Sequence, residues 1–467
     1  MRNLFVFALL AAAALPSGAQ TPDWSKINDE AMRHFQALVQ IDSSDPPGNE
    51  TRVAEYVKKT LEADGIQVMM MAQDPARANI IARLKGNGSK RPLLIMGHSD
   101  VVRVDPAKWT TFGPFSAARQ GGYVYGRGTL DDKSDLLATM MTMLMLKRQK
   151  TPLDRDVIFV SESGEEASTG PGIEYLVNQH WSDIDAEFCL AESGGVRLKN
   201  GQARYALIET TEKQPRAARL IAKGISGHGS RPLRTNALVH LAKAVETIAA
   251  WDPPMRFNDT TRDYFEKMAQ VSTPEEAARF KALFDSAKAP AVRDYLAEHD
   301  PIDYSMLHTS ISPNIIKGGY QVNVIPSEAE ATLDIRALPD ENISAFYDMM
   351  RKVINDPAVE LVPETTNQRP GAAPSKLDSD AYRAVEAAFK NVYGVITIPL
   401  MQTGATDMAF LRAKGVQCYG VGAMVDEEDG PKGFGPHSDQ ERILEAAVYK
   451  HVQFFWQAVN SIAASKH

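Results

Sequence analysis

The run Leu93-Leu94-Ile95-Met96-Gly97-His98-Ser99-Asp100-Val101-Val102 decides how the rest of the chain is read. Its first five residues carry no charge and predict a buried strand. The run ends in a histidine and an aspartate two positions apart, and residues two apart on a strand face the same way. His98 and Asp100 can therefore share one site at the strand's end, which is where open α/β sheets bind ligands. Taken alone, the pattern fits a satisfied histidine beside a turn aspartate equally well.

Four further clusters follow, each at the end of a predicted strand. Gly126-Arg127-Gly128-Thr129-Leu130-Asp131-Asp132 precedes a Met- and Leu-rich helix over 133–148, and on local grounds Asp131 reads as that helix's cap. Val160-Ser161-Glu162-Ser163-Gly164-Glu165-Glu166 places two adjacent glutamates after an apolar strand. They point in different directions, so one can bind a metal while the other holds a water as general base. Leu190-Ala191-Glu192-Ser193-Gly194-Gly195 gives a single acid at a strand end, and Gly435-Pro436-His437-Ser438-Asp439 a histidine in a loop before the last helix. Each has a dull explanation as cap, solvated acid or turn. Together, His98, Asp131, Glu166, Glu192 and His437 form a nitrogen-and-oxygen donor set without cysteine, suited to zinc or another borderline divalent ion in an open catalytic site. Five donors exceed the needs of one tetrahedral ion with a water, whereas two ions sharing a bridging carboxylate use them all.

The motifs GHSDVV, GRGTLDDKS, SGEEAS, AESGG, GISGHGSRP, NVIPSEAEATLDIR and GPHSDQE resemble the di-zinc metallopeptidase family of carboxypeptidase S, glutamate carboxypeptidase, aminoacylase and succinyl-diaminopimelate desuccinylase. They run in the family's order, with spacing most like the carboxypeptidase S branch. The resemblance implies two zinc ions per subunit, or cobalt or manganese in their place. His98 and Glu192 would hold one, Glu166 and His437 the other, and Asp131 would bridge them. It implies Glu165 as general base and Asp100 as the partner of the second His98 nitrogen, fixing the ring and raising its basicity. It places an oxyanion-stabilising histidine at His228, often donated by a partner subunit, and a grip on the substrate's carboxylate at Asn323 and Arg336. Gly404, Thr406 and Asp407, in TGATD, look like an active-site loop touching substrate. Two departures stand out: Gly164 replaces an acid common in relatives, and Asp132-Lys133-Ser134 replaces the commoner Met-Lys-Gly. Neither removes a ligand.

Strands alternating with helices, before about residue 213 and again after 366, predict an α/β domain with a mostly parallel sheet flanked by helices, as in zinc exopeptidases. Between them, 214–365 reads as an inserted α+β lid or dimerisation domain, so the catalytic domain is split into 20–213 and 366–467. Residues 1–19 carry the charge, apolar core and small-residue cleavage site of a secretory signal, which predicts a periplasmic or secreted protein with no anchor after cleavage. The chain of 467 residues is 44% hydrophobic and 24% charged, ordinary for a globular protein. A net charge of −8 without basic runs gives no reason to expect nucleic acid as partner. Cys189 and Cys418 sit in apolar strands and read as buried free thiols. The expected activity is hydrolysis of an amide next to a free C-terminal carboxylate, as in a carboxypeptidase or dipeptidase, by a homodimer acting on small peptides. An N-acyl-amino-acid amidohydrolase uses the same machinery, and a non-catalytic periplasmic metal- or peptide-binding protein is the alternative of another class.

Overall fold

The computed structural model describes residues 22–366 and 368–465, so the predicted signal segment lies outside the described residues. Ten strands make the main sheet: β1 (Val68–Met71), β2 (Asn79–Leu84), β3 (Leu93–His98), β4 (Val157–Glu162), β5 (Phe188–Ala191), β6 (Gly195–Lys199), β7 (Gln202–Glu212), β8 (Ile396–Gln402), β9 (Gln417–Gly420) and β10 (Val425–Asp426). Their spatial order is β1-β2-β4-β3-β5-β9-β7-β6-β10, with β8 beside β7. The centre β4-β3-β5-β9 is parallel, while pairs β1/β2, β2/β4, β9/β7 and β7/β6 are antiparallel. The pairs β7/β8 and β6/β10 are parallel as well, so the fold is mixed α/β, and the strands that lead into the His98, Glu166 and Glu192 clusters lie in its parallel centre. Every residue of β3, β4 and β5 is buried, as a strand covered by helices on both faces requires.

One face is covered by helices Trp24–Val39, Lys133–Arg148 and Glu445–Ala463, and Met140, Met141, Met143 and Met145 fill the core between them. The opposite face packs under the segment from Gly170 to Gln179 and helix Met408–Ala413. Cys189 and Cys418 are free, buried and directly opposite each other on β5 and β9. Among the described residues no helix is long and apolar enough to cross a membrane.

The insertion carries a four-stranded antiparallel sheet in the order Ser310–Gly318, Glu328–Ala337, Gln214–Lys223, Val359–Pro363. Helices Ala237–Ala249 and Ile343–Ile354 cover one face of it. The charged helical stretch after Trp251 packs elsewhere: Phe265, Phe280, Leu283 and Leu296 form a core with Leu207 of β7 and Ile398 and Leu400 of β8. Those helices widen the catalytic domain rather than the lid.

Local sequence signals predict an Asn49 cap for the second helix, an exposed strand over 216–223, a helix over 171–180 and a last helix from Gln440, and the structure corrects each. Asn49 does not cap the helix Thr51–Ala63; Glu50 occupies the cap position and sends its carboxylate to Arg77 instead. The predicted exposed strand 216–223 is an inner strand with two neighbours. The helix expected over 171–180 breaks, because Gly172 adopts a non-helical conformation. The last helix begins at Glu445 rather than Gln440, since Arg442–Leu444 pairs with Tyr123–Tyr125 as a short strand. The strand Val359–Pro363 has no strong alternation and escapes the sequence reading.

Candidate active site

The parallel strands aim their C-terminal ends at one cleft of about 630 Å³. His98 is the last residue of β3, Glu192 follows β5, and Glu166 lies in the turn after β4. Asp131 comes from the loop before helix Lys133–Arg148, and His437 from the loop that leads to the last helix. The Nε2 atom of His98 lies 2.9 Å from Asp131 Oδ1 and 3.5 Å from Glu192 Oε2. The Nε2 atom of His437 lies 3.1 Å from Asp131 Oδ2 and 3.1 Å from Glu166 Oε2. Asp131 therefore offers one oxygen to each histidine, with a second acid beside each, and its side chain is not the helix cap that local sequence implied. The ligand atoms of His98, Asp131 and Glu166 lie within 4.8 Å of one another, and so do those of His98, Glu192 and the neighbouring Asp132. This donor set fits a pair of divalent cations bridged by Asp131.

The electrostatics agree with a cation site. Asp131, and then Glu166, hold the His437 imidazole up at about 10. Burial pushes Glu192 up to about 7 despite the pull of His98. Histidine and carboxylate must shed their protons to ligate, so cation binding here weakens as pH falls.

Asp100 does more than was expected of it. The His98 Nδ1 atom meets the Asp100 backbone carbonyl at 3.0 Å, and the carboxylate only at 3.5 Å. The carboxylate instead accepts the backbone N–H groups of Gly164 (2.9 Å), Glu165 (3.1 Å) and Glu166 (3.0 Å). It fixes the turn that presents both glutamates, and orients His98 through its main chain. The two glutamates then diverge: Glu166 faces His437 and Glu165 faces Arg369.

A model of the peptidase family M20/M25/M40 matches residues 94–461. The chain belongs to this family. Among its relatives, human N-fatty-acyl-amino acid synthase/hydrolase PM20D1 is 26% identical, over 92% of this chain and 87% of that protein. A probable carboxypeptidase S-like 2 of Dictyostelium discoideum is 26% identical over 71% of this chain and 64% of that one. The fold matches the M20 metallo-carboxypeptidase Sso-CP2 of Sulfolobus solfataricus with a TM-score of 0.69, at 20% identity, over 92% of this chain and 98% of the other. The protein is accordingly a hydrolase of a metal-dependent family.

Around the ligands, this M20 protein carries two supports that sequence reading passed over. Glu441 is fully buried and accepts the backbone N–H of Gly128 (3.2 Å) and Leu130 (2.8 Å) as well as Arg127 Nη1 (2.7 Å). Arg127 also reaches the His437 carbonyl at 3.3 Å, so one ion pair ties the Asp131 loop to the His437 loop. Arg369 lies on the chain's return from lid to catalytic domain. Its Nη2 donates to Glu165 Oε1 at 2.7 Å and its Nη1 lies 3.0 Å from Asp407. Burial, with Glu192 close by, pushes the Glu165 carboxyl well above the carboxylate range, and Arg369 pulls it back down.

The predicted substrate residues divide. Arg336 and Gly404 line the cleft, Arg336 paired with Asp334 at 3.0 Å. Thr406 lines it too, but its hydroxyl donates to Glu212 at 2.7 Å, so it braces the loop. Asp407 is buried beneath, against Arg369. His228 and Asn323 do not line their own chain's cleft. Both are exposed on the lid, where His228 pairs with Val324 in a two-stranded ribbon and Asn323 accepts the Gly229 N–H.

Proposed function

We propose that this protein is an exported, zinc-dependent exopeptidase that hydrolyses the amide bond next to a free C-terminal carboxylate in dipeptides or short peptides, working as a homodimer in the periplasm or outside the cell. The observation that carries the substrate class is the cleft's lining. It includes six carboxylates and three arginines and, among the described residues, no phenylalanine, tyrosine or tryptophan. A cleft of that polarity suits a small, charged peptide and is poorly suited to burying a long hydrocarbon chain.

His98, Glu192, Glu166, His437 and Asp131 would hold the zinc pair, which would supply Lewis-acid polarisation of the scissile carbonyl. Arg336 binds the free carboxylate. The Glu165 carboxylate takes the proton of the attacking water on Oε2, the oxygen Arg369 leaves free, and returns it to the leaving amine. His228, supplied by a second copy, donates to the developing oxyanion.

The N-acyl-amino-acid reading keeps one specific support, the similarity to human PM20D1 along nearly the whole chain. A product profile with zinc restored, from C-terminally free dipeptides, longer peptides and N-acyl amino acids, separates the readings. Release of the C-terminal residue from dipeptides supports the peptidase. Turnover confined to N-acyl amino acids replaces it, and no turnover of any panel member favours the binding protein. Glu165→Ala is expected to abolish turnover with metal content near normal; loss of both metals instead would assign Glu165 to the ligand set.

A further inference from the structure

Three arginines reach the cleft, and two are already engaged: Arg336 by Asp334, and Arg369 by Glu165 and Asp407. Arg197, on β6, is not. Among the described residues its guanidinium has no hydrogen bond, no carboxylate within 4.0 Å and no aromatic ring beneath it, although its neighbours are packed around it. Glu427, whose charge acts on it from a distance, accepts the Tyr205 hydroxyl at 3.2 Å. Burial with so little compensation lowers the pKa of the Arg197 guanidinium. A half-buried cation without a partner is costly unless a ligand completes it.

The topology says which part of a substrate it meets. Arg197 is the register partner of Tyr205 at the start of β7. Arg336 is the register partner of Pro215, beyond the other end of β7. A strand rises about 3.3 Å per residue, so the two arginines enter the cleft from different ends and do not serve the same carboxylate. With Arg336 on the leaving-amine side, Arg197 faces the acyl side, past the Glu192–Gly194 turn.

We propose that Arg197 forms a subsite for a carboxylate on the acyl portion of the substrate, so that the preferred amides carry a second negative group there, either the side chain of an acidic residue or the far end of a dicarboxylic acyl group. This rests on the amide-hydrolase reading above and sharpens its substrate class. It also separates this chain from relatives that take fatty acyl groups, because a lone guanidinium in the acyl subsite opposes a hydrocarbon chain.

The test compares pairs that differ by one charge and almost nothing in shape: Glu-Ala against Gln-Ala, and N-glutaryl-alanine against N-glutaramoyl-alanine. With zinc restored, the wild type is expected to favour the charged member of at least one pair by about 10- to 100-fold in kcat/KM, the range of one charge-assisted pair. Which pair responds tells a peptidyl from an acyl source. Arg197→Gln should bring that ratio close to one, and Arg197→Glu should invert it. Calorimetric binding of the same pairs to the Glu165→Ala protein, with and without Arg197→Gln, gives a readout independent of turnover. Hydrolysis without charge preference, or a preference that survives Arg197→Gln, overturns the subsite and leaves the peptidase reading standing. Absent hydrolysis with charge-selective binding that Arg197→Gln removes retains the subsite and overturns the activity.

Discussion

At the scale of single residues, the site is organised by acids whose work is to hold backbone. Asp100 looked in sequence like a partner for His98 alone, because a two-residue spacing shows direction but not what the carboxylate finds there. The structure adds three N–H donors from the Gly164–Glu166 turn. Gly164, a departure from relatives in sequence, has a physical reason here: its φ of +81° is left-handed, and a Cβ would lie 2.2 Å from the Ser168 carbonyl oxygen. Asp100→Asn puts an amide donor against those N–H groups, so kcat should fall roughly 100-fold while elemental analysis finds most of the metal retained. Loss of one ion per chain would return Asp100 to the ligand list. Arg369 invites a second measurement. Arg369→Ala frees Glu165 from the loop that returns from the lid and leaves Asp407 without its cation, so kcat should fall roughly 10- to 100-fold with KM changed much less. Arg369→Lys should recover part of the rate, since a lysine reaches one acid at a time. A rise in KM with unchanged kcat would make Arg369 a substrate contact instead. The candidate ligands were legible in sequence because each ends a strand or opens a loop in a recognisable motif. Arg369 was not, because a lone arginine in a loop has no local signature, and Glu441, although it closes the motif GPHSDQE, gives no sign of the backbone groups it holds.

At the scale of elements, the central strands and the helix Lys133–Arg148 could be read almost to the residue, since continuous apolar runs and long helical periodicity survive any packing. Errors gathered where a tertiary partner decides: Arg442–Leu444 pairs with Tyr123–Tyr125 and so delays the last helix, and the stretch 251–305 finds its core on β7 and β8. Sequence assigned that helical stretch no purpose; its packing gives it one, as cover for the edge of the catalytic sheet. One buried acid makes this testable. Asp303, 3% exposed, accepts the Tyr264 hydroxyl at 2.9 Å, and burial, then Asp300, pushes its carboxyl up to about 7 from the usual 3.8. The folded chain thus binds a proton here that the unfolded chain has released above about pH 4. The stability this contributes is present below pH 4 and is lost as pH climbs through 7. Asp303→Asn keeps the acceptor without the charge. Its gain in unfolding midpoint over the wild type should grow by about 3 °C between pH 5 and pH 8, reflecting on the order of 2–3 kcal/mol. Equal differences at both pH values would show that Asp303 stays ionised in the fold.

At the scale of the whole molecule, the unsettled matter is that the cleft and two of its expected residues lie apart. His228 and Asn323 sit on the lid, away from their own cleft. The same lid leaves the strand Ser310–Gly318 with a single sheet neighbour, and along it Ile315 and Ile316 are 49% and 61% exposed. Val239, on the helix Ala237–Ala249, is 63% exposed. An open strand edge with apolar side chains is a template for pairing, and a two-fold axis there would join two lids through the same patch on each. Such a dimer would carry each His228 toward the other chain's cleft, which a monomer could do only by moving the lid as a body. Mixing decides between them. Glu165→Ala and His228→Ala proteins, each inactive alone, are unfolded and refolded together in equal amounts. If the histidine acts in trans, half the dimers are mixed and each mixed dimer has one complete site, so about a quarter of wild-type activity should return. If it acts in cis, every site in the mixture lacks one of the two groups and no activity returns. Ile315→Lys with Ile316→Lys should then make the wild-type chain monomeric by sedimentation and cost it the same activity as His228→Ala, because the dimer and the oxyanion donor are one requirement.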